Sequence, residues 1–216
     1  MRIMYNVGGL CTGYLCPPLF IKMKEDILKN RPAVLEEQLM MILNEQQQLA
    51  SAIDFAQLAL LVPYLHEAER IFLTGAGRTG LAMRAAAMRF MHLGLTVFVV
   101  GETTTPAITA GDVMIAASGS GTTSSIVTAA RKAAAAGAAV IAISTTTDSE
   151  LSALSALTVV LPAAQKQDHG GSISRQYAGS LFEQAVLLMM DAVFQTLWKE
   201  YGTPAEVLWR RHANLE

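Results

Sequence analysis

Apolar positions along this chain follow two rhythms. From Arg31 to Ala52, and on to Ile53, the residues Val34, Leu35, Leu39, Ile42, Leu43 and Leu49 recur at helical spacing among Glu36, Glu37 and Gln46 to Gln48, which predicts an amphipathic helix. A second helical stretch runs from about Phe55 to Ala68, kinked or restarted at Pro63. Past Glu69 the rhythm shortens. Arg70–Thr74, Thr96–Val100, Asp112–Ala117, Ala139–Ile143 and Leu157–Leu161 read as strands. Between and after them Thr79–His92, Ser124–Ala136, Ser149–Leu154 and a long Tyr177–Tyr201 read as helices. This alternation predicts the α/β class: a doubly wound, five-stranded parallel sheet covered on both faces, with N-terminal helices before it and a long C-terminal helix after it. In such sheets the ligand sits beyond the carboxyl ends of the strands.

Composition narrows the setting. With 52% hydrophobic and 16% charged residues the chain fills a large core and still leaves apolar surface, so subunit contacts are expected. A net charge of −2 gives no basic footprint for nucleic acid. No apolar run is long and unbroken enough to cross a bilayer, so no membrane partner is expected, and with no disulfide candidates in the core the cytoplasm is the expected compartment. Cys11 and Cys16, the only cysteines, have no companion His nearby, and no metal site is expected. Residues 1–22 carry Gly8-Gly9, Pro17-Pro18 and both cysteines without a clear period. Residues 1–32 are therefore read as a loosely ordered N-terminal extension, not native in its first part, with Met23 as the natural start; residues 33–216 form one domain.

The chemistry centres on Ser118-Gly119-Ser120-Gly121-Thr122-Thr123, which follows a predicted strand and opens a predicted helix. Two glycines permit a tight turn with bare N–H groups, and four hydroxyls add rotatable donors at the positive end of a helix. The loop suits an uncharged grip on an anion such as a sugar phosphate; read blandly, it is a strand-to-helix turn rich in capping hydroxyls. Gly75-Ala76-Gly77-Arg78-Thr79-Gly80 satisfies G-x-G-x-x-G in the same context, and Glu102 stands about where a ribose-binding acid would be. Against a dinucleotide, Arg78 puts a cation inside the turn, and the hydroxyl loop supplies a second anion site that such a ligand does not require.

Four segments in order, Gly75-Ala76-Gly77-Arg78-Thr79, Arg89-Phe90-Met91-His92-Leu93-Gly94, Gly101-Glu102-Thr103-Thr104-Thr105-Pro106 and Ser118 to Thr123, resemble the sugar isomerase (SIS) domain family, and more narrowly its 6-phospho-3-hexuloisomerase members. Gly179-Ser180-Leu181-Phe182-Glu183-Gln184 and the terminal Arg211-His212-Ala213-Asn214-Leu215-Glu216 are similar to those members too. The resemblance runs from about residue 33 onward. Residues 1–22 have no counterpart in it, and Arg175-Gln176-Tyr177-Ala178 stands where the family more often has a Gln-Pro segment.

That resemblance implies a flavodoxin-like SIS fold and cofactor-free isomerisation of a 3-hexulose 6-phosphate to fructose 6-phosphate, in a formaldehyde-fixing ribulose monophosphate route beside a 3-hexulose-6-phosphate synthase. It also implies a homo-oligomer, a tetramer in this family. Moving a carbonyl from C3 to C2 needs a base for the C2 proton, stabilisation of an enediolate and proton return at C3, with no redox change and hence no metal or nicotinamide. Two alternatives stay open: another aldose–ketose phosphosugar isomerase, and a non-catalytic SIS module that senses a sugar phosphate.

Site residues follow from the same resemblance. By spacing alone Glu183 is a helical glutamate facing solvent or a neighbour; the resemblance makes it the base, with Leu181, Phe182, Val186 and Leu187 expected to desolvate it. His212, in an otherwise ordinary tail, becomes a second catalytic residue that shuttles protons between the C2 and C3 oxygens or opens a cyclic substrate, within its own subunit or a neighbour's. Substrate binding falls to Gly75, Gly77, Arg78, Thr79, Ser118, Ser120, Thr122 and Thr123, with Arg78 on substrate oxygens or phosphate and Thr103 to Thr105 at the rim. His66 and His92 are expected at helix ends; His169 lies in a Gly-flanked loop.

Overall fold

The computed structural model describes residues 17–166 and 173–215. His169, Cys11 and Cys16, and most of the segment read as an addition, lie outside the described residues. Backbone contacts divide the chain into two compact units, Met1–Met41 and Ile42–Glu216.

One long helix, α1 (Pro17–Ala52), opens the described chain and carries Pro32 inside it. Its start lies well before the expected Arg31. The Arg31-Pro32 pair reads as a helix opening, because proline is favoured in a first turn, but here the helix continues through it. Two short helices follow, α2 (Phe55–Ala59), capped by Asp54 Oδ1 on the N–H groups of Ala56 and Gln57, and α3 (Leu61–Glu67). The restart falls at Leu60 rather than at Pro63. Pro63 sits in the first turn of α3, where a missing N–H leaves no intrahelical bond unmade.

The rest alternates as expected: β1 (Ile71–Gly75), α4 (Gly77–Leu93), β2 (Val97–Val99), β3 (Val113–Ala117), α5 (Ser124–Ala135), β4 (Ala139–Ser144), α6 (Glu150–Ala153), β5 (Leu157–Val160) and α7 (Ser180–Tyr201), followed by a short helix the sequence did not announce, α8 (Ala205–Trp209). All five strands are parallel, in the order β2-β1-β3-β4-β5. Alternate residues of each strand enter different cores. Ile71, Leu73, Ile115, Ile141 and Ile143 pack with α4 and α7 on one face; Phe72, Met114, Val140 and Ala142 pack with α5 and α6 on the other. Burial on both faces explains why the strands read as unbroken apolar runs.

At the N-terminal edge of the sheet Arg70 grips Asp112 with two bonds, Nε to Oδ1 at 2.8 Å and Nη2 to Oδ2 at 2.6 Å. The Thr109 N–H adds a third at 2.7 Å. Burial of Asp112 works against its charge, but these bonds outweigh it and hold the carboxyl below its usual range.

Candidate active site

The strand order places the site. From β1 the chain moves outward to β2, then returns past β1 to β3, so the loops after β1 and β3 leave in opposite directions and open a crevice between them. A cavity of about 150 Å³ lies there. Ala76 and Thr79 from the first loop and Ser118, Gly119, Ser120 and Thr123 from the second line it. Ala164, Gln165 and Lys166, which follow β5, and Gly179 and Phe182 at the start of α7 complete the wall.

The turn after β1 is tight enough to need its glycines. A Cβ on Gly80 would stand 2.6 Å from the carbonyl oxygen of Gly75, and Gly77, the first residue of α4, has φ +59°. The motif glycines thus serve close strand-to-helix packing. Glu102, the acid a dinucleotide would require, pairs with Arg84 at 2.5 Å and is not part of the cavity lining.

The hydroxyl loop is braced from β4. The carbonyl of Gly119 accepts from Ser144 Oγ at 3.1 Å, Thr145 Oγ1 at 2.8 Å and the Thr145 N–H at 3.1 Å. In a planar trans peptide this turns the N–H of Ser120 the opposite way. Gly121 has φ +64°, and a Cβ there would fall 2.1 Å from Ser149 Oγ, so the turn admits no side chain. Ser118 Oγ and Thr123 Oγ1 share a hydrogen bond of 3.0 Å, and Thr122 Oγ1 donates to Ser120 Oγ at 3.0 Å. Thr123 is the N-cap of α5 yet makes no side-chain cap bond, which leaves its hydroxyl at the cavity. Thr122 is exposed and supports Ser120 from outside the lining.

Glu183 lies in the first turn of α7 with its side chain only 10% exposed. Arg78 reaches it from the first turn of α4: Nη1 stands 3.1 Å from Oε2 and donates to Ser180 Oγ at 3.0 Å. Lys166 Nζ lies 3.9 Å from the other carboxylate oxygen, Oε1. Leu181, Phe182 and Val186 are buried beside it, as expected, whereas Leu187 stays partly exposed. The Phe182 ring also packs on Gly119, where an added Cβ would lie 3.4 Å from its Cδ1. The segment leading into α7 is anchored by Glu45, which accepts from Ser174 Oγ at 2.7 Å, the Arg175 N–H at 2.7 Å and Gln176 Nε2 at 3.0 Å. Burial of Glu45 raises its carboxyl, but those bonds prevail and the net shift is downward.

His212 is elsewhere in the protomer. Its ring stacks on His92 at 3.9 Å and lies 4.7 Å from Trp209, while Arg211 Nη1 donates to the carbonyl of His92 at 2.7 Å. His92 is in the last turn of α4, and Arg78 in the first; α4 is 17 residues, or about 25 Å, long. Within one chain Glu183 and His212 are therefore at opposite ends of a helix. Burial, with His212 and Arg89 adding to it, pushes the His92 imidazole below its usual range. His66, at the end of α3 as expected, pairs with Glu200 at 2.8 Å. Thr105 departs from its expected place at the rim: its hydroxyl turns back to the carbonyl of Val99, and it lines a separate cavity with Phe72 and Met114 on the other face of the sheet. Among the described residues, no three His, Cys, Asp or Glu side chains cluster to hold a metal ion.

Residues 64–189, more than half of the chain, match the model of the SIS domain. The chain belongs to the SIS domain family. This SIS domain is 52% identical over 178 residues to a Mycobacterium gastri protein named 3-hexulose-6-phosphate isomerase, covering 82% of this chain and 89% of that one. A Bacillus subtilis protein of the same name is 37% identical, covering 81% and 95%. Among solved structures, a Methanococcus jannaschii protein whose structure was taken to infer 3-hexulose-6-phosphate isomerase function superposes with a TM-score of 0.72 at 32% identity, covering 83% of this chain and 99% of that one. The SIS domain also holds two cavity residues that sequence reasoning passed over, Gln165 and Lys166. They sit at the carboxyl end of the last strand, where ligands of parallel sheets are met, and that position is the signal that could have found them.

Proposed function

We propose that this SIS domain isomerises a 3-hexulose 6-phosphate to fructose 6-phosphate through an enediolate, with no cofactor taking part. One observation carries the reading: the buried Glu183 follows Phe182 and faces Lys166, both lining a cavity that also presents the hydroxyls of Ser118, Ser120 and Thr123, in a chain 52% identical to a protein named for this reaction. The phosphate binds the hydroxyls of Ser118, Ser120 and Thr123, with Thr122 bracing Ser120, at the N-terminus of α5. Glu183 takes the proton from C2. The C–H pair becomes the C2=C3 bond and the C3 carbonyl pair moves onto O3. A proton then passes from O2 to O3, O2 re-forms the carbonyl at C2, and Glu183 returns its proton to C3. Arg78 holds the Glu183 carboxylate in place and faces the developing charge; Thr79 lines the cavity, while Gly75 and Gly77 are not part of the lining and serve by making the tight turn that carries Arg78 and Thr79.

His212, at the far end of α4 from Glu183, serves the exchange between O2 and O3 only if it enters a neighbouring subunit. Supporting an oligomer, Leu81 and Met88 on α4 and Leu188 on α7 are exposed apolar residues. The assembly we propose is a homotetramer, working in the cytoplasm beside a synthase that joins formaldehyde to ribulose 5-phosphate.

The test is turnover without added metal or nucleotide, with the 3-hexulose 6-phosphate made in place from ribulose 5-phosphate and formaldehyde by a separate synthase. Fructose 6-phosphate that forms only when this protein is present supports the reading. Silence beside an active synthase overturns it.

A further inference from the structure

Glu183 has a cation at each oxygen, and the second one has no role in the account so far. Arg78 meets Oε2 at hydrogen-bond distance, but Lys166 Nζ stands 3.9 Å from Oε1, in ion-pair range and beyond a hydrogen bond. At that separation the ammonium does not clench the carboxylate, and a substrate oxygen fits beside both. Lys166 also lines the cavity, next to Gln165, whose Nε2 donates to Thr145 Oγ1 at 3.0 Å.

The surroundings keep a path open for this side chain. Gly179, which precedes α7, has φ −87° and ψ 23°, a conformation open to any residue, so its backbone does not call for glycine. What a side chain there would meet is Lys166: an added Cβ would lie 3.1 Å from Cγ and 3.7 Å from Cε. A Cβ on Gly77 would lie 4.0 Å from Nζ. Gly179, just before α7, thus leaves room for the lysine's stem, and Gly77, at the start of α4 with φ +59°, lies in ordinary contact range of its ammonium.

The geometry points to Lys166 as a further catalytic residue, the electrophile for the enediolate. The inference rests on the functional reading above. As Glu183 takes the C2 proton, the C3 carbonyl pair moves onto O3, and after proton exchange the charge sits on O2. Lys166 places its fixed positive charge next to both oxygens, on the carboxylate's Oε1 side, while Arg78 acts from the Oε2 side. The hydroxyl loop holds the phosphate dianion, so the two negative ends of the intermediate meet different groups. Such a charge acts on what develops in the transition state and little on the ground-state ketose.

The test compares Lys166→Met and Lys166→Arg with the unaltered protein. Turnover by the unaltered protein comes first, since its absence removes the functional reading itself. Given that turnover, Lys166→Met is expected to lower kcat about 100-fold, the low end for loss of one oxyanion-stabilising group because this one is partly in water, with KM within about 3-fold. Lys166→Arg is expected to recover part of the loss. A phosphosugar hydroxamate, whose planar anion imitates the enediolate, is expected to lose affinity for Lys166→Met as kcat does, while fructose 6-phosphate keeps its affinity. Unchanged kcat overturns the assignment. So does a rise in KM with matched weakening of both fructose 6-phosphate and inorganic phosphate, which would make Lys166 a phosphate-binding residue instead.

Discussion

Arg78 Nη1 and Glu183 Oε2 stand 3.1 Å apart, joining the first turn of α4 to the first turn of α7. The two helices pack against each other, and of the pair Glu183 is buried while the Arg78 side chain is 59% exposed. The carboxylate is shielded and aimed, and its partner comes from the glycine turn that also lines the switch point of the sheet.

Glu183→Gln keeps the shape of this seam and removes the base. It is expected to lower kcat by roughly 10²–10⁴-fold while fructose 6-phosphate binds within a few-fold of normal, read by turnover and by calorimetry. Retained turnover would take Glu183 out of the mechanism.

Ser120→Ala tests the phosphate wall. Losing one hydrogen bond to a charged oxygen is expected to raise KM about 5- to 30-fold, equivalent to about 1–2 kcal/mol, with kcat little changed. Weak inhibition by inorganic phosphate should lessen in step. Equal KM values would place the phosphate elsewhere.

The separation of Glu183 and His212 along α4 gives a subunit test. His212→Ala and Glu183→Gln proteins, each expected to turn over slowly, are unfolded, mixed and refolded together. Recovered turnover above either parent is expected, because a mixed assembly pairs an intact Glu183 with an intact His212 from a neighbour. Additive residual rates would confine the reaction to groups within one chain.

Much of this was legible early, and the reasons are local. Strands β1 and β3 are buried on both faces, so their apolar runs stand out, and each hydroxyl or glycine that opens the next helix marks the strand's end. Pro63 misled because proline marks a break and also suits a first helical turn; which applies depends on where Leu58, Leu61 and Leu65 find the core. The short α8, with Pro204 at its N-cap, has too few residues to show a period. Lys166 offered only its place after the last strand. It lies in a polar segment with no rhythm, and its meaning comes from Gly77, Gly179 and Glu183, which only folding brings near it.

Asp112 and Glu45 make acid stability testable. Both carboxyls are held below their ordinary range when folded, so each is more readily protonated in the unfolded chain. Their contribution is complete above the unfolded value of about 4 and is lost as pH falls through the folded values. Urea midpoints measured from pH 6 down to pH 3 are expected to fall steeply below about pH 4. In Asp112→Asn the fall should be shallower and the midpoint at pH 6 lower, since Arg70 keeps one bond and loses its charged partner. An unchanged slope would mean that Asp112 does not couple folding to protons.

The most direct measurement of the central claim is deuterium exchange into fructose 6-phosphate in D₂O, followed by proton NMR with the protein present. An enediolate spanning C2 and C3 opens the C3–H bond in the reverse direction, so the expected result is loss of the C3 proton signal with the C1 protons retained. Exchange at C1 with the C3 proton retained would assign the chain to aldose–ketose isomerisation and contradict the C2–C3 enediolate.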